Sequence, residues 1–171
     1  GHVRIAFGSP DPDVWQLVTL AEGEEAAGAE DVAIDDFNGD GHPDVVVACE
    51  LAHLIYLENP GTRGEAVRSG RWPRVIPAVT RDRGSFIRVF TADFDRDGRP
   101  EVVAPNKGAQ SPDPASAVTH PISWFDVTND PLAGGWVEHE LTAVIWPSNS
   151  QTVDLDSDGD MDIVGGSTGE G

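Results

Sequence analysis

Lysine is almost missing from this sequence. Its 171 residues hold 11 Lys and Arg against 30 Asp and Glu, a formal net charge of −19, and the single lysine is Lys107. That balance argues against a nucleic-acid binder, because a phosphate backbone is held by clustered cationic side chains, and it disfavours an anionic membrane surface. Long apolar runs are missing too: nowhere do 18 apolar residues follow one another, so no transmembrane helix is expected. Cysteine is reduced to Cys49, which excludes an internal disulfide framework. No segment sustains an apolar period of 3.6, so little helix is expected, and Ala21–Ala29, interrupted by glycines, reads as a loop.

What the chain does have is a repeat. The segments Val32–Val47, Phe90–Ala104 and Thr152–Gly165 align without gaps on the pattern D-x-[DN]-x-D-G-x-x-[DE] followed by apolar residues. Their first aspartates are Asp36, Asp93 and Asp154, 57 and 61 residues apart. A tryptophan recurs in phase, as Trp15, Trp72 and Trp136, preceding the next aspartate by 21, 21 and 18 residues. Leu54–Pro60 and Ile122–Val127 form a third marker, the second copy set off by an insertion at Gln110–His120. Each period therefore reads as four short β segments, in the first period Asp31–Phe37, Asp44–Cys49, Leu54–Glu58 and Trp72–Pro77.

Four strands per unit with one aromatic marker predict an all-β fold, a partial β-propeller of four-stranded antiparallel blades. Residues 13–20 read as the last strand of a preceding blade, 31–78 and 87–143 as complete blades, and 147–171 as the start of another, all in one domain spanning 1–171. About three blades cannot close a ring of four to eight, so the chain is expected to be part of a larger ring, its missing blades coming from the same or another chain.

The acidic loops place side-chain oxygens at positions 1, 3, 5 and 9, a glycine at 6 and a backbone carbonyl at 7. Hard oxygen donors in that number suit calcium better than zinc or magnesium. Three sites are expected: Asp36, Asn38, Asp40 and Asp44 with the carbonyl of His42; Asp93, Asp95, Asp97 and Glu101 with that of Arg99; and Asp154, Asp156, Asp158 and Asp162 with that of Asp160. An EF-hand would close with a carboxylate at position 12, where this chain has Val47, Ala104 and Gly165.

These segments resemble FG-GAP-like repeats, also called VCBS repeats, found in integrin α-subunit propellers and in many secreted proteins. The resemblance implies that the calcium loop joins the first two strands of each blade on one rim, and that ligands meet the opposite rim. A clear Phe-Gly…Gly-Ala-Pro signature is missing here, so integrin-type adhesion does not carry over. Some propellers with such repeats belong to carbohydrate-active enzymes, polysaccharide lyases and sugar dehydratases among them.

That opposite rim is expected to carry Glu50, His53, Asn106, Lys107, His120, Ser167 and Glu170, with Arg81 and Arg83 between blades. His53, His120 and Lys107 are the candidates for catalysis, and Gln110–His120 for a substrate loop. Gly165–Gly169 matches the string G-x-S-x-G but follows a strand and opens no helix, so it is set aside. Trp15, Trp72, Trp136, Tyr56 and Trp124 are expected to pack in the core, and Cys49 to be buried. The favoured reading is a calcium-stabilised, extracellular or secreted module that binds carbohydrate or protein, with a carbohydrate-active enzyme as the alternative.

Overall fold

The computed structural model describes residues 1–61 and 65–169. The chain begins with a hairpin of β1 (His2–Gly8) and β2 (Trp15–Glu22), paired antiparallel from His2 opposite Glu22 to Gly8 opposite Trp15. A four-stranded antiparallel sheet follows, built in sequence order from β3 (Ala29–Asp35), β4 (Asp44–Cys49), β5 (Leu54–Leu57) and β6 (Arg74–Val75). The second such sheet holds β7 (Phe90–Ala92), β8 (Glu101–Pro105), β9 (Thr119–Asp126) and β10 (Val137–Ile145). A final pair, β11 (Pro147–Val153) and β12 (Asp162–Ser167), starts a third unit. The architecture is all-β, a partial propeller, and among the described residues the one α-helical turn is α1 (Glu65–Arg68).

The sequence explains the layering. In the central strands the apolar run is continuous, Val45-Val46-Val47-Ala48-Cys49 and Val102-Val103-Ala104, because both faces of these strands are covered; all are buried. Alternate residues therefore serve different cores. Val46, Ala48, Leu54 and Tyr56 pack with Phe86, Val102, Phe125 and Trp136 of the next blade, while Val45, Val47, Ile55 and Leu57 pack with Val18, Leu20 and Trp72 on the side of the β1–β2 hairpin. Register within blades is conserved between copies: Val45 faces Leu57 and Val46 faces Tyr56 as Val102 faces Phe125 and Val103 faces Trp124.

Some expectations need correcting. The strand β1 was not anticipated, although Val3, Ile5 and Phe7 alternate with His2, Arg4 and Ala6 as a half-buried strand requires. Trp72 and Trp136 are buried, but Trp15 is 58% exposed at the turn end of its hairpin, its ring resting on Gly8. Each of the three indoles still donates to a nearby carbonyl: Trp15 Nε1 to Pro12, Trp72 Nε1 to Val67, and Trp136 Nε1 to Pro131. Tyr56 is fully buried as expected, whereas Trp124 is half-buried and stacked on His139, ring centroids 3.9 Å apart. Cys49 is buried, which pushes its thiol up to about 12.

Candidate metal centres

Each acidic loop joins the first two strands of a unit: β3 to β4, β7 to β8 and β11 to β12. Antiparallel strands bring all three to one end of the sheets, and the turns that follow β4 and β8 to the other. The loops share a backbone. Position 4 is left-handed in each copy, at Gly39, Arg96 and Ser157 (φ 73°, 62° and 64°), as is the glycine at position 6, Gly41, Gly98 or Gly159 (φ 85°, 90° and 92°). Two left-handed residues so close curl the chain around the carboxylate at position 1. One oxygen of that carboxylate accepts the N–H of the position 6 glycine in every copy: Gly41 to Asp36 at 2.8 Å, Gly98 to Asp93 at 3.0 Å and Gly159 to Asp154 at 3.1 Å. The position 5 carboxylates of Asp40, Asp97 and Asp158 accept the N–H of His42, Arg99 and Asp160 at position 7.

In the second and third loops three carboxylates converge. Oxygens of Asp93, Asp95 and Glu101 lie within 4.8 Å of one another, and so do those of Asp154, Asp156 and Asp162. Position 5 stands outside both groups, and Asp97 is turned to the Arg99 guanidinium at 2.6 Å, which holds its carboxyl below the usual range. The position 9 carboxylate reaches back to the N–H of position 2: Phe94 donates to Glu101 at 2.7 Å and Leu155 to Asp162 at 2.9 Å. The other oxygen of the leading aspartate, Oδ1 of Asp93 and of Asp154, is buried with no hydrogen-bond partner. A buried, unpartnered carboxylate oxygen is costly unless something cationic meets it. Burial above all, then repulsion from Asp95, Asp93 and Asp97, pushes the Glu101 carboxyl up to about 7, against the lowering effect of the Phe94 N–H. Both loops fit a hard divalent cation: the donors are all oxygen, convergent and otherwise mutually repulsive.

The first loop is wired differently. Asp36 has both oxygens partnered, Oδ1 by the N–H of Asp40 at 3.0 Å and Oδ2 by Gly41. Asn38 stands at position 3 and donates its amide to Asp40 at 3.3 Å. Asp44, at position 9, is fully buried and accepts the Tyr56 hydroxyl at 2.7 Å and the Asn59 N–H at 2.8 Å. Its carboxyl is pushed up to about 6, chiefly by burial. No buried oxygen is left over in this loop to call for a cation.

On the opposite rim most of the candidate residues are tied into structural contacts. His53 is buried and its Nε2 donates to the Glu25 carbonyl at 2.8 Å. His120 is half-buried against Gly108, whose φ of 84° and close approach to the ring leave no space for a side chain. Lys107 pairs with Glu50 at 3.2 Å, and Gln110 donates to the other Glu50 oxygen at 3.1 Å, joining the two blades. Asn106 is spent on the Arg83 carbonyl and the Gly108 N–H. Between blades Arg83 pairs with Glu138, and Arg81 donates to the Ile76 carbonyl. Ser167 ends β12, and Glu170 lies outside the described residues. The insertion contributes to a cavity of about 300 Å³ lined by Pro114–Ala117, Ile145, Trp146 and Thr168, without a titratable side chain. Sequence reading did not single out Trp146, which takes a left-handed backbone (φ 51°) at the junction of β10 and β11.

Sheets of four antiparallel strands, repeated in order with an acidic loop at the same corner, define an array of propeller blades. Residues 36–104, from the first aspartate of one loop through the strand after the next, match the family model of the FG-GAP-like repeat. No curated protein matches the chain.

Proposed function

We propose that the chain is a calcium-stabilised, extracellular propeller module that binds carbohydrate or protein on the rim opposite its acidic loops. The observation that carries the calcium reading is the pair of buried, unpartnered oxygens, Asp93 Oδ1 and Asp154 Oδ1, each beside two further converging carboxylates. Calcium supplies a compact positive charge, and the residues that hold it are the carboxylates of positions 1, 3 and 9. Extracellular placement is the reading that suits calcium loops of modest affinity, which fill where calcium is millimolar. Apolar side chains left exposed on the end units, Val14 and Leu17 at one end and Leu155 and Val164 at the other, support further blades packing there, from this chain or another.

The ligand reading rests on the opposite rim. Its cavity combines the Trp146 indole with Ser116 and Thr168 hydroxyl-bearing residues and carries no charge, a lining suited to a neutral, hydroxylated group more than to an ion. His53 and Lys107, which an enzyme would need free, are engaged in structural contacts, which favours binding over turnover. The test incubates the protein with a panel of oligosaccharides in calcium and in chelator, following retention and product formation in the same samples. Calcium-dependent retention without conversion is expected; product formation moves the protein to the carbohydrate-active enzymes.

A further inference from the structure

We propose that only the second and third acidic loops hold a metal ion, and that the first is closed by its own hydrogen bonds, with Tyr56 and Asn59 holding Asp44 where a cation would otherwise draw it. The inference rests on the calcium reading above and narrows it from three ions to two.

Three differences between the loops carry it. The leading aspartate keeps a buried unpartnered oxygen in loops two and three, at Asp93 and Asp154, whereas both oxygens of Asp36 are taken by backbone donors. The position 9 carboxylate turns into the loop at Glu101 and Asp162, where it caps the position 2 N–H. At Asp44 both oxygens are instead taken by strand β5 and its exit, from the Tyr56 hydroxyl and the Asn59 N–H. Position 3 is a carboxylate in Asp95 and Asp156 but a neutral amide in Asn38, whose own N–H₂ already bonds Asp40. Fewer negative donors, both leading oxygens partnered and the closing carboxylate committed elsewhere together lessen the repulsion that a cation would relieve.

The aromatic at the Tyr56 position explains why the loops diverged. Trp124 occupies the equivalent place in the next blade and has no hydroxyl to reach Glu101; it packs against Phe94, centroids 5.9 Å apart. Tyr56 packs against Phe37 in the same way, at 6.2 Å, and adds the hydroxyl that claims Asp44. One phenolic oxygen thus substitutes for a metal in tying the loop to the third strand of its blade.

The test counts calcium ions bound per chain by equilibrium dialysis of the whole protein, wild type beside Asp36→Asn, Asp93→Asn and Asp154→Asn, with circular dichroism confirming that each variant is folded. Differences between variants report single loops whatever else the protein binds. Asp93→Asn and Asp154→Asn are each expected to lose one ion, and Asp36→Asn none. Should a substitution unfold its blade, Asp95→Asn, Asp156→Asn and Asn38→Ala ask the same question from position 3. Loss of one ion on Asp36→Asn or Asn38→Ala overturns the inference while leaving the calcium reading intact. Absence of calcium binding to the wild-type protein overturns both.

Discussion

The Tyr56 hydroxyl donates to the Asp44 carboxylate at 2.7 Å with both residues fully buried, fastening the end of the first acidic loop to the third strand of its blade. Hydrogen bonds to a charged partner are worth roughly 1.5–3 kcal/mol, and removing one partner leaves the other buried and unsatisfied. Tyr56→Phe is therefore expected to lower stability by about 2 kcal/mol in urea denaturation. A loss below about 0.5 kcal/mol contradicts the assignment.

Acid should favour the calcium-free protein. Burial raises Asp44 to about 6 from an ordinary 3.8 and Glu101 to about 7 from 4.5, so the folded state holds protons that the unfolded chain releases. Groups raised in this way contribute stability that is complete below the unfolded values and is lost as pH rises through the folded ones. In chelator, the midpoint of unfolding should fall between pH 5 and pH 8. A calcium ion in the proposed Glu101 site would need that carboxyl deprotonated, so the stabilisation by calcium should grow over the same window. A calcium effect that is larger at pH 5 than at pH 8 contradicts this.

The repeated tryptophans are not equivalent. Trp136 is 4% exposed and meets Tyr56 edge to face at 6.1 Å across the boundary between blades, whereas Trp15 is 58% exposed. Trp136→Ala should cost about 3–5 kcal/mol, as large-to-small core substitutions do, and Trp15→Ala less than about 1 kcal/mol. Thermal denaturation of the two variants side by side checks the order.

Lys107 and Glu50 come from turns 57 residues apart and are mostly buried where two blades meet. Removing one charge strands the other, so Lys107→Met is expected to destabilise by about 2 kcal/mol, and adding Glu50→Gln to restore part of it. Equal losses in the single and double variants would show that the pair contributes packing and not charge compensation.

The repeat made the fold legible, because strand order and loop position follow from three aligned copies of D-x-[DN]-x-D-G and need no long-range information. The strand at Val3, Ile5 and Phe7 escaped notice because it belongs to a unit with no acidic loop in this chain to mark it. The convergence of Asp93, Asp95 and Glu101 could be read from spacing, since a tight loop sets those distances locally. What spacing could not reveal was competition from outside the loop: the withdrawal of Asp44 depends on which atom Tyr56 presents across the β4–β5 ladder. The same limit applied to His53 and Lys107. Both lie on the expected rim, yet Glu25, from an earlier loop, and Glu50, from the neighbouring blade, engage them.

The most direct test of the central claim is the melting temperature of the protein in 1 mM calcium and in chelator at pH 7.5. An ion present at about 100 times its dissociation constant adds about 2.7 kcal/mol per site, so calcium bound in the folded loops should raise the midpoint by at least about 5 °C. An unchanged midpoint would contradict calcium as the partner of Asp93 and Asp154.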